Sequence, residues 1–257
     1  MKKSIFFICF LPLALFAQYG LFKHLTIEND LQSNNISAIV QDKYGFIWFG
    51  SAGGLSKYDG YSFQYFVENK EDRTSLFGSF VDAVVIDKQN NLWIGTNKGL
   101  NKFNYKTNKF ERIKIIDSLE EVNVARLFID SHDVLWFGCL DKVYTYDIAT
   151  SKVSHFEHDE NDPTSIGPRG LMAVHEDIMG NIWLATWDYG IYKYDRKTGV
   201  FTHYLNNPND PTTIFKQPVF SITSDKDGNI WACANVVSKL NPRSGKFSLL
   251  TDYLRLA

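Results

Sequence analysis

Short runs of apolar and aromatic residues alternate with turn-forming residues along most of the chain. No stretch of eleven residues or more keeps the apolar spacing of an amphipathic helix, so the pattern predicts strands. The first such region predicts four of them, at about 36–41, 46–51, 55–58 and 62–67. Gly, Asn and Asp separate these runs, and such residues tolerate the backbone angles of tight turns. The pattern therefore predicts an all-β protein.

The same phrase of sequence recurs along the chain, and a tryptophan marks each copy. These residues are spaced by 45, 43, 47 and 48 positions: Trp48, Trp93, Trp136, Trp183 and Trp231. Each copy contains an Asp, a short turn, the Trp, small residues and a second turn. Four-stranded repeats of this length are the blades of a β-propeller. The predicted blades are approximately 36–67, 81–114, 124–157, 171–205 and 219–251.

Two positions of the repeat are predicted to form its core, because both are apolar in every copy. Six residues before the Asp stand Ile36, Val81, Val124, Leu171 and Val219. Three residues before it stand Ile39, Val84, Leu127, Val174 and Ile222.

Residues 21–26 resemble the outer strand at 200–205 but precede the first complete blade. In propellers, an orphan N-terminal outer strand closes the ring by completing the last blade. The fifth blade already has its own outer strand near 246–251, so the orphan strand needs a further blade. We therefore expect the N-terminal part of a longer propeller, or a degenerate relative of one, rather than a finished five-bladed ring.

Residues 1–17 have the features of a secretory signal peptide. Lys2 and Lys3 precede an apolar run that ends near Ala17. The run is about twelve residues, well short of the roughly 20 that a membrane-spanning helix needs. The mature chain, 18–257, is therefore predicted to be exported to the periplasm.

Composition argues against several classes of partner. The net charge is −2 and the pI is about 6.3. Nucleic acids and anionic membranes require concentrated Lys and Arg, and no such patch is found. Cys139 and Cys233 fall in the small-residue stretch of separate repeats, which favours packing over a disulfide or metal site. We predict no cofactor and no metal.

Two patterns that suggest metal sites have structural explanations. The segment 225–229 faintly resembles a calcium loop, but it lacks Gly at the sixth position and Glu at the twelfth. His24, His155 and His203 occupy one equivalent outer-strand position, and a position repeated by the fold is more often structural.

The repeat resembles the two-component regulator propeller repeat, found in the periplasmic sensor half of hybrid two-component histidine kinases. The residues that carry this resemblance are 39–50, 54–60, the loops 162–166 and 210–214, and the opening 22–25 after the signal peptide. The resemblance covers essentially all of 21–251.

Members of that family typically carry two seven-bladed propellers, a β-sandwich domain, one membrane span and a cytoplasmic kinase. Many regulate polysaccharide use. The resemblance implies that the blades are part of a seven-bladed propeller. It also implies a periplasmic, non-enzymatic sensor region, with an oligosaccharide as ligand and further blades or a second copy as partners. No kinase motif lies in this chain, so kinase activity and membrane attachment would belong to a downstream part.

Trp187, Asp188 and Tyr189 depart from the repeat and form the first candidate site. They fall in the turn between the second and third strands of the fourth blade. Aromatic rings can stack on a sugar face while the carboxylate accepts hydroxyl hydrogen bonds. Arg169, on the loop before that blade, is expected at the same end of the sheet. The alternative is that these aromatic residues pack on a neighbouring blade or partner.

Arg126 is the second candidate. Its counterparts by sequence are all small: Ala38, Ala83, Ala173 and Ser221. An arginine on a channel-lining strand could bind an anion, or it could pair with an acid across the channel.

Two other functions remain as alternatives. A free-standing exported binding protein would differ from a sensor only in the absence of further domains after Ala257. A propeller glycosidase would need two converging acids. The recurrent Asp residues are explained by turns, so no catalytic residue is predicted.

Overall fold

The computed structural model describes residues 24–167, 170–215 and 218–250, which form five four-stranded antiparallel sheets. The first blade contains β1 (Ile36–Gln41), β2 (Ile47–Ser51), β3 (Gly54–Tyr58) and β4 (Phe63–Phe66). The second contains β5 (Val81–Ile86), β6 (Leu92–Thr96), β7 (Leu100–Asn104) and β8 (Lys109–Ile113). The third contains β9 (Ala125–Ile129), β10 (Val134–Cys139), β11 (Lys142–Asp147) and β12 (Lys152–Phe156).

The fourth blade contains β13 (Leu171–Glu176), β14 (Ile182–Thr186), β15 (Ile191–Asp195) and β16 (Val200–Tyr204). The fifth contains β17 (Ser221–Ser224), β18 (Ile230–Cys233), β19 (Val237–Asn241) and β20 (Lys246–Leu249). Each sheet is a meander in which sequential strands pair. First strands contact the first strands of neighbouring blades, as the β1–β5, β5–β9, β9–β13 and β13–β17 contacts show. The all-β propeller prediction is confirmed.

A short 3-10 helix, Ile27–Asn29, precedes the first blade, and Thr26 caps it. Residues 24–26, the described part of the predicted orphan strand, are in no sheet. The predicted signal peptide and residues 21–23 lie outside the described residues. Within the described ranges, no helix is long and apolar enough to cross a membrane.

The recurring Asp and Trp are joined by a hydrogen bond in every blade. The indole Nε1 donates to Asp Oδ2 in Trp48–Asp42 (2.9 Å), Trp93–Asp87 (2.9 Å), Trp136–Asp130 (2.6 Å), Trp183–Asp177 (2.7 Å) and Trp231–Asp225 (3.0 Å). The other carboxylate oxygen accepts a backbone N–H within the turn, as it does from Asn91 in the second blade. The six-residue spacing between Asp and Trp therefore follows from the hairpin. The Asp carboxylate in the turn accepts a hydrogen bond from the indole on the second strand.

Each of these carboxylates accepts a further side-chain donor, which comes from one of two places. Where Asn follows the Asp by four residues, its own amide donates, as in Asn91, Asn181 and Asn229. Where that residue is Phe46 or Val134, the next blade supplies the donor. Tyr105 donates to Asp42 at 3.1 Å, and Arg196 donates to Asp130 at 2.7 Å. The same acceptor thus either completes a turn or joins two blades.

The core lies between blades rather than within them. One cluster joins Trp48 of the first blade to Val84 and Phe103 of the second, and the next joins Trp93 to Leu127 and other residues of the third. Four of the five repeated tryptophans are at most 2% exposed. Burying about 200 Å² of such a side chain contributes roughly 5 kcal/mol at 25 cal/mol per Å². Blade stacking therefore dominates stability.

The small residues after each Trp allow the blades to approach closely. A Cβ added at Gly95 would lie 2.6 Å from the carbonyl oxygen of Val124 in the next blade. At Gly50 it would lie 2.7 Å from Val81 Cγ1. Larger residues would push the inner strands apart, which explains the small residues at these positions.

One predicted core position is wrong in the first blade. Ile39 is 61% exposed, whereas Val84, Leu127 and Ile222 are 4%, 9% and 6% exposed. This position packs against the preceding blade, and no described sheet precedes the first one. At the other end, Trp231 is only partly buried, because no described sheet follows the fifth blade.

We expect residues 18–257 produced alone to self-associate through these apolar blade faces. Replacing Ile39 by Lys should weaken this association, since it places a charge on the first face. Sedimentation velocity over a concentration series measures the effect. The matched control is Tyr61→Lys, which adds the same charge at a 96% exposed ring in the β3–β4 turn. A monomer at every concentration of the unmodified chain would contradict the prediction.

Candidate ligand-binding face

The turns between second and third strands lie at the same end of the propeller as the linkers between blades. This follows from the meander, because the second and fourth strands of each sheet run in the same direction. The turn 187–190 and the described part of the preceding linker, 157–167, therefore share one face of the molecule, which we call the linker face.

A buried threonine shapes the turn that contains the candidate residues. The Thr186 hydroxyl donates to the Gly190 carbonyl at 3.0 Å and accepts from the Tyr189 N–H at 3.1 Å. The side chain of Thr186 needs no water, because the residue is 2% exposed and both bonds stay within the turn. The turn therefore holds residues 187–189 outward on a fixed backbone.

Three aromatic side chains are exposed around this turn. Trp187 is 49% exposed and Tyr189 is 38% exposed, and Asp188 between them is also exposed. The Trp187 ring meets the Phe220 ring edge to face, with centroids 6.0 Å apart. Phe220 is itself 43% exposed. Trp187, Tyr189 and Phe220 thus offer apolar surface with a carboxylate beside it.

The linker that precedes the fourth blade is held against this turn. The Trp187 N–H donates to the Gly170 carbonyl at 3.0 Å. Gly170 has a φ of +61°, and a Cβ there would lie 3.0 Å from the Trp187 Cβ, so a side chain would be strained and crowded. Arg169, the candidate on this linker, lies outside the described residues.

The structure places Arg126 in a β-bulge. In the first, second and fourth blades the bulge precedes Ala38, Ala83 and Ala173, which pair with the small residue of the second strand. In the third blade Ala125 takes that pairing, opposite Gly138, and Arg126 has a φ of +61°. Counting back from the Asp therefore aligns Arg126 with Ala38, Ala83 and Ala173. In the sheet, however, Ala125 occupies the position of those residues.

The Arg126 guanidinium pairs with Asp82 of the second blade, with 3.6 Å between Nη1 and Oδ1. The expected pairing was with an acid across the channel, whereas this acid belongs to the neighbouring blade. No contact joins Arg126 to the Trp187 turn among the described interactions.

The recurring acids are held as turn carboxylates, and the pKa values of Asp177 and Asp225 reflect that role. Burial raises the pKa of Asp177, but hydrogen bonds from Trp183 and Asn181 outweigh it and lower the pKa overall. The pKa of Asp225 is lowered to about 2, because the donors Asn229 and Trp231 outweigh burial. A general acid needs a raised pKa, so these carboxylates are unsuited to that task.

Phe220 is the site residue that sequence reasoning missed. It stands five residues before Asp225, where other blades have Ser37, Asp82, Ala125 and Met172. The signal that the sequence offered was a large aromatic residue at a position where the size of the residue varies between blades.

The chain folds as five stacked four-stranded sheets, each with an Asp–Trp hydrogen bond in its first turn and with aromatic residues exposed on one face. Stacked sheets of this kind define a β-propeller. The family model for the two-component regulator propeller matches residues 30–53 and 75–98. These two segments therefore match the repeat of this family.

Solved structures and curated relatives extend this finding. The extracellular domain assigned to a hybrid two-component system of Bacteroides thetaiotaomicron is 25% identical, with a TM-score of 0.75, and covers 88% of this chain. Histidine kinase P4 of Formosa agariphila is 37% identical over 75 residues, 28% of this chain. The chain spans 31% of the first protein's length and 6% of the second's.

A propeller enzyme also shares the fold. Virginiamycin B lyase of Staphylococcus aureus has a TM-score of 0.60 at 12% identity, covering 83% of this chain and 69% of its own. At that identity the likeness shows the fold alone.

Proposed function

We propose that the chain is the periplasmic sensor region of a two-component signalling receptor. The observation that carries this proposal is its 25% identity, over 88% of the chain, to an extracellular domain assigned to a hybrid two-component system. The sequence features of an exported chain at residues 1–17 agree with it. The region acts by binding and without catalysis, and any kinase activity belongs to another part of the receptor.

The ligand we propose is an oligosaccharide that regulates polysaccharide use. Trp187 and Tyr189 would stack on sugar rings, and the carboxylate of Asp188 would accept hydrogen bonds from hydroxyls. The rigid turn built on Thr186 supports this assignment, because a preorganised site loses little entropy on binding.

Replacing Trp187 and Tyr189 together by Ala should weaken polysaccharide binding about tenfold or more, since two stacking surfaces are removed. Affinity gel electrophoresis against a panel of neutral and acidic soluble polysaccharides measures the change. Tyr61→Ala is the control, because it removes an exposed ring at the opposite end of a sheet. If the polysaccharide gel slows the double variant and the unmodified chain equally, the proposed site is wrong.

A free-standing exported binding protein is the second candidate. Sequencing the gene past the codon for Ala257 separates the two. An open frame encoding a membrane span and a kinase supports the receptor, whereas an immediate stop codon supports the free-standing protein.

A further inference from the structure

A pocket of about 520 Å³ opens on the linker face of the second blade, away from the Trp187 turn. It lies between β8, the turn at Lys98 and Gly99, and the linker 114–124. We propose that this pocket binds a small molecule carrying a carboxylate group, which the Arg112 guanidinium holds. The inference does not rest on the proposed oligosaccharide site.

Comparison between blades shows that Arg112 departs from a repeated arrangement. The same outer-strand position holds Tyr65, His155 and His203 in the first, third and fourth blades and Leu249 in the fifth, as the pairing of the third and fourth strands shows. Tyr65 donates to the Asp30 carbonyl, and His203 lies 2.8 Å from the Ser165 carbonyl. His155 faces Glu157 at 3.8 Å. In the first, third and fourth blades the fold supplies a polar partner.

No described carboxylate lies within 4 Å of the Arg112 guanidinium, although Asp72, which is held by Thr74, attracts it from a longer distance. The other basic side chains that line the pocket each pair with an acidic residue. The pairs are Arg73–Glu120 (3.4 Å), Lys98–Glu68 (3.0 Å), Lys98–Glu121 (3.0 Å) and Lys114–Asp117 (3.1 Å). The Nε atom of Arg112 is also buried without a hydrogen-bond partner. A buried donor of this kind is costly unless something accepts from it.

The Arg112 guanidinium stacks on the ring of Phe77. The Arg112 Cζ lies 4.3 Å from the centroid of the Phe77 ring. The backbone of Phe77 is fixed, because its N–H donates to Asn101 Oδ1 and its carbonyl accepts from Asn101 and Thr96. Phe77 is 8% exposed and Asn101 is fully buried. The guanidinium is therefore stacked on a rigid ring and ready to bind an anion.

The linker that closes this pocket also departs from the other linkers. In the segments 67–80, 157–167 and 205–215, an Asp-x-Thr turn is present in which the Asp accepts from the Thr hydroxyl and N–H. The linker 114–124 has no such turn. Instead it brings Ile115, Leu119 and Val122 to the pocket wall.

The Arg112 guanidinium and the apolar wall of the pocket together define the chemistry of the ligand. A planar guanidinium binds carboxylates with two parallel hydrogen bonds, and the apolar wall favours a carbon skeleton beside the charge. The volume is in the usual range for a small organic ligand. A carboxylate on a ring fits this combination.

The test uses sodium benzoate and sodium glucuronate as probes, with benzyl alcohol and methyl glucoside as their neutral counterparts. Saturation-transfer NMR on the full chain should show binding of a carboxylate probe but not of its neutral counterpart. Arg112→Met should weaken that binding at least tenfold. Arg73→Met removes the same charge from an exposed pair in the same pocket and should change binding less than about twofold.

Three outcomes would overturn the proposal. One is that neither carboxylate binds at millimolar concentration, and another is that the two Met variants lose binding equally. The third is that inorganic sulfate competes as well as benzoate does, which would reduce the pocket to a simple anion site. Circular dichroism checks the fold of each variant. Should Arg112→Met unfold, Arg112→Lys keeps the charge without the planar fork and should still weaken binding.

Discussion

Replacing Asp130 by Ala is expected to lower the free energy of unfolding by about 3–5 kcal/mol, the usual cost of breaking a buried ion pair. The Asp130 side chain is fully buried and accepts from Trp136 Nε1 at 2.6 Å and Arg196 Nη2 at 2.7 Å. It also accepts from the backbone of His132 and Val134. Alanine would leave the buried Trp136 indole without its acceptor. It would also remove the shortest contact of the Arg196 guanidinium and leave it with Glu176 at 3.7 Å, at the contact between the third and fourth blades.

Urea denaturation followed by tryptophan fluorescence measures this loss. Asp147→Ala is the matched control in the same blade, because that carboxylate caps a turn through the Thr150 N–H at 2.8 Å. One such hydrogen bond is worth about 1 kcal/mol. Arg196→Met should fall between the two, since it removes the link between blades but leaves the Trp136 bond intact. Equal losses for Asp130→Ala and Asp147→Ala would show that the Asp–Trp bond carries no special weight.

Acid should destabilise the propeller most steeply between about pH 4 and pH 2. Burial raises the pKa of Asp130, but hydrogen bonds from Trp136 and Arg196 outweigh it and lower the pKa overall. Asp177 follows the same pattern, and the pKa of Asp225 is about 2. Unfolded Asp has a pKa of about 3.9. A lowered folded pKa contributes stability that is present above the unfolded pKa and is lost as pH falls through the folded value.

The urea midpoint measured from pH 7 to pH 2 checks this prediction. His175 adds a separate loss that begins near pH 6.5, because burial lowers its pKa and the unfolded chain then binds more protons. His175→Gln removes that earlier loss and leaves the Asp effect. Asp130→Asn should flatten the profile below pH 4. A midpoint that stays constant or rises between pH 4 and pH 2 would refute the role assigned to the turn carboxylates.

The sequence alone was enough to determine the fold class, because the information is local and repeated. Each blade is a meander whose turns need an Asp and, three residues later, a residue that tolerates positive φ. That later position is Gly45, Asn90, Asp133, Gly180 or Gly228, each with φ between 58° and 89°. A short hairpin closes within a few residues, so its signal survives in a single sequence.

The departures Trp187 and Tyr189 could be found from the sequence for the same reason, since a regular repeat makes an irregular residue visible. Their partner Phe220 could not, because it comes from the next blade, 33 residues along the chain. Arg126 was misplaced by one sheet position, because counting from the Asp does not reveal where a bulge lies.

Only the tertiary structure decided which repeated positions are buried and which charges are paired. Ile39 and Val84 are equivalent in the repeat, but only Val84 has a described blade packed against it. Arg112 and Arg196 are both arginines near a blade contact. Arg196 binds Asp130, whereas Arg112 stacks on Phe77 with no described carboxylate within 4 Å. The sequence by itself determined the blades, their turns and the residues that break the repeat. Burial and pairing depend on contacts between blades, which sequence spacing does not encode.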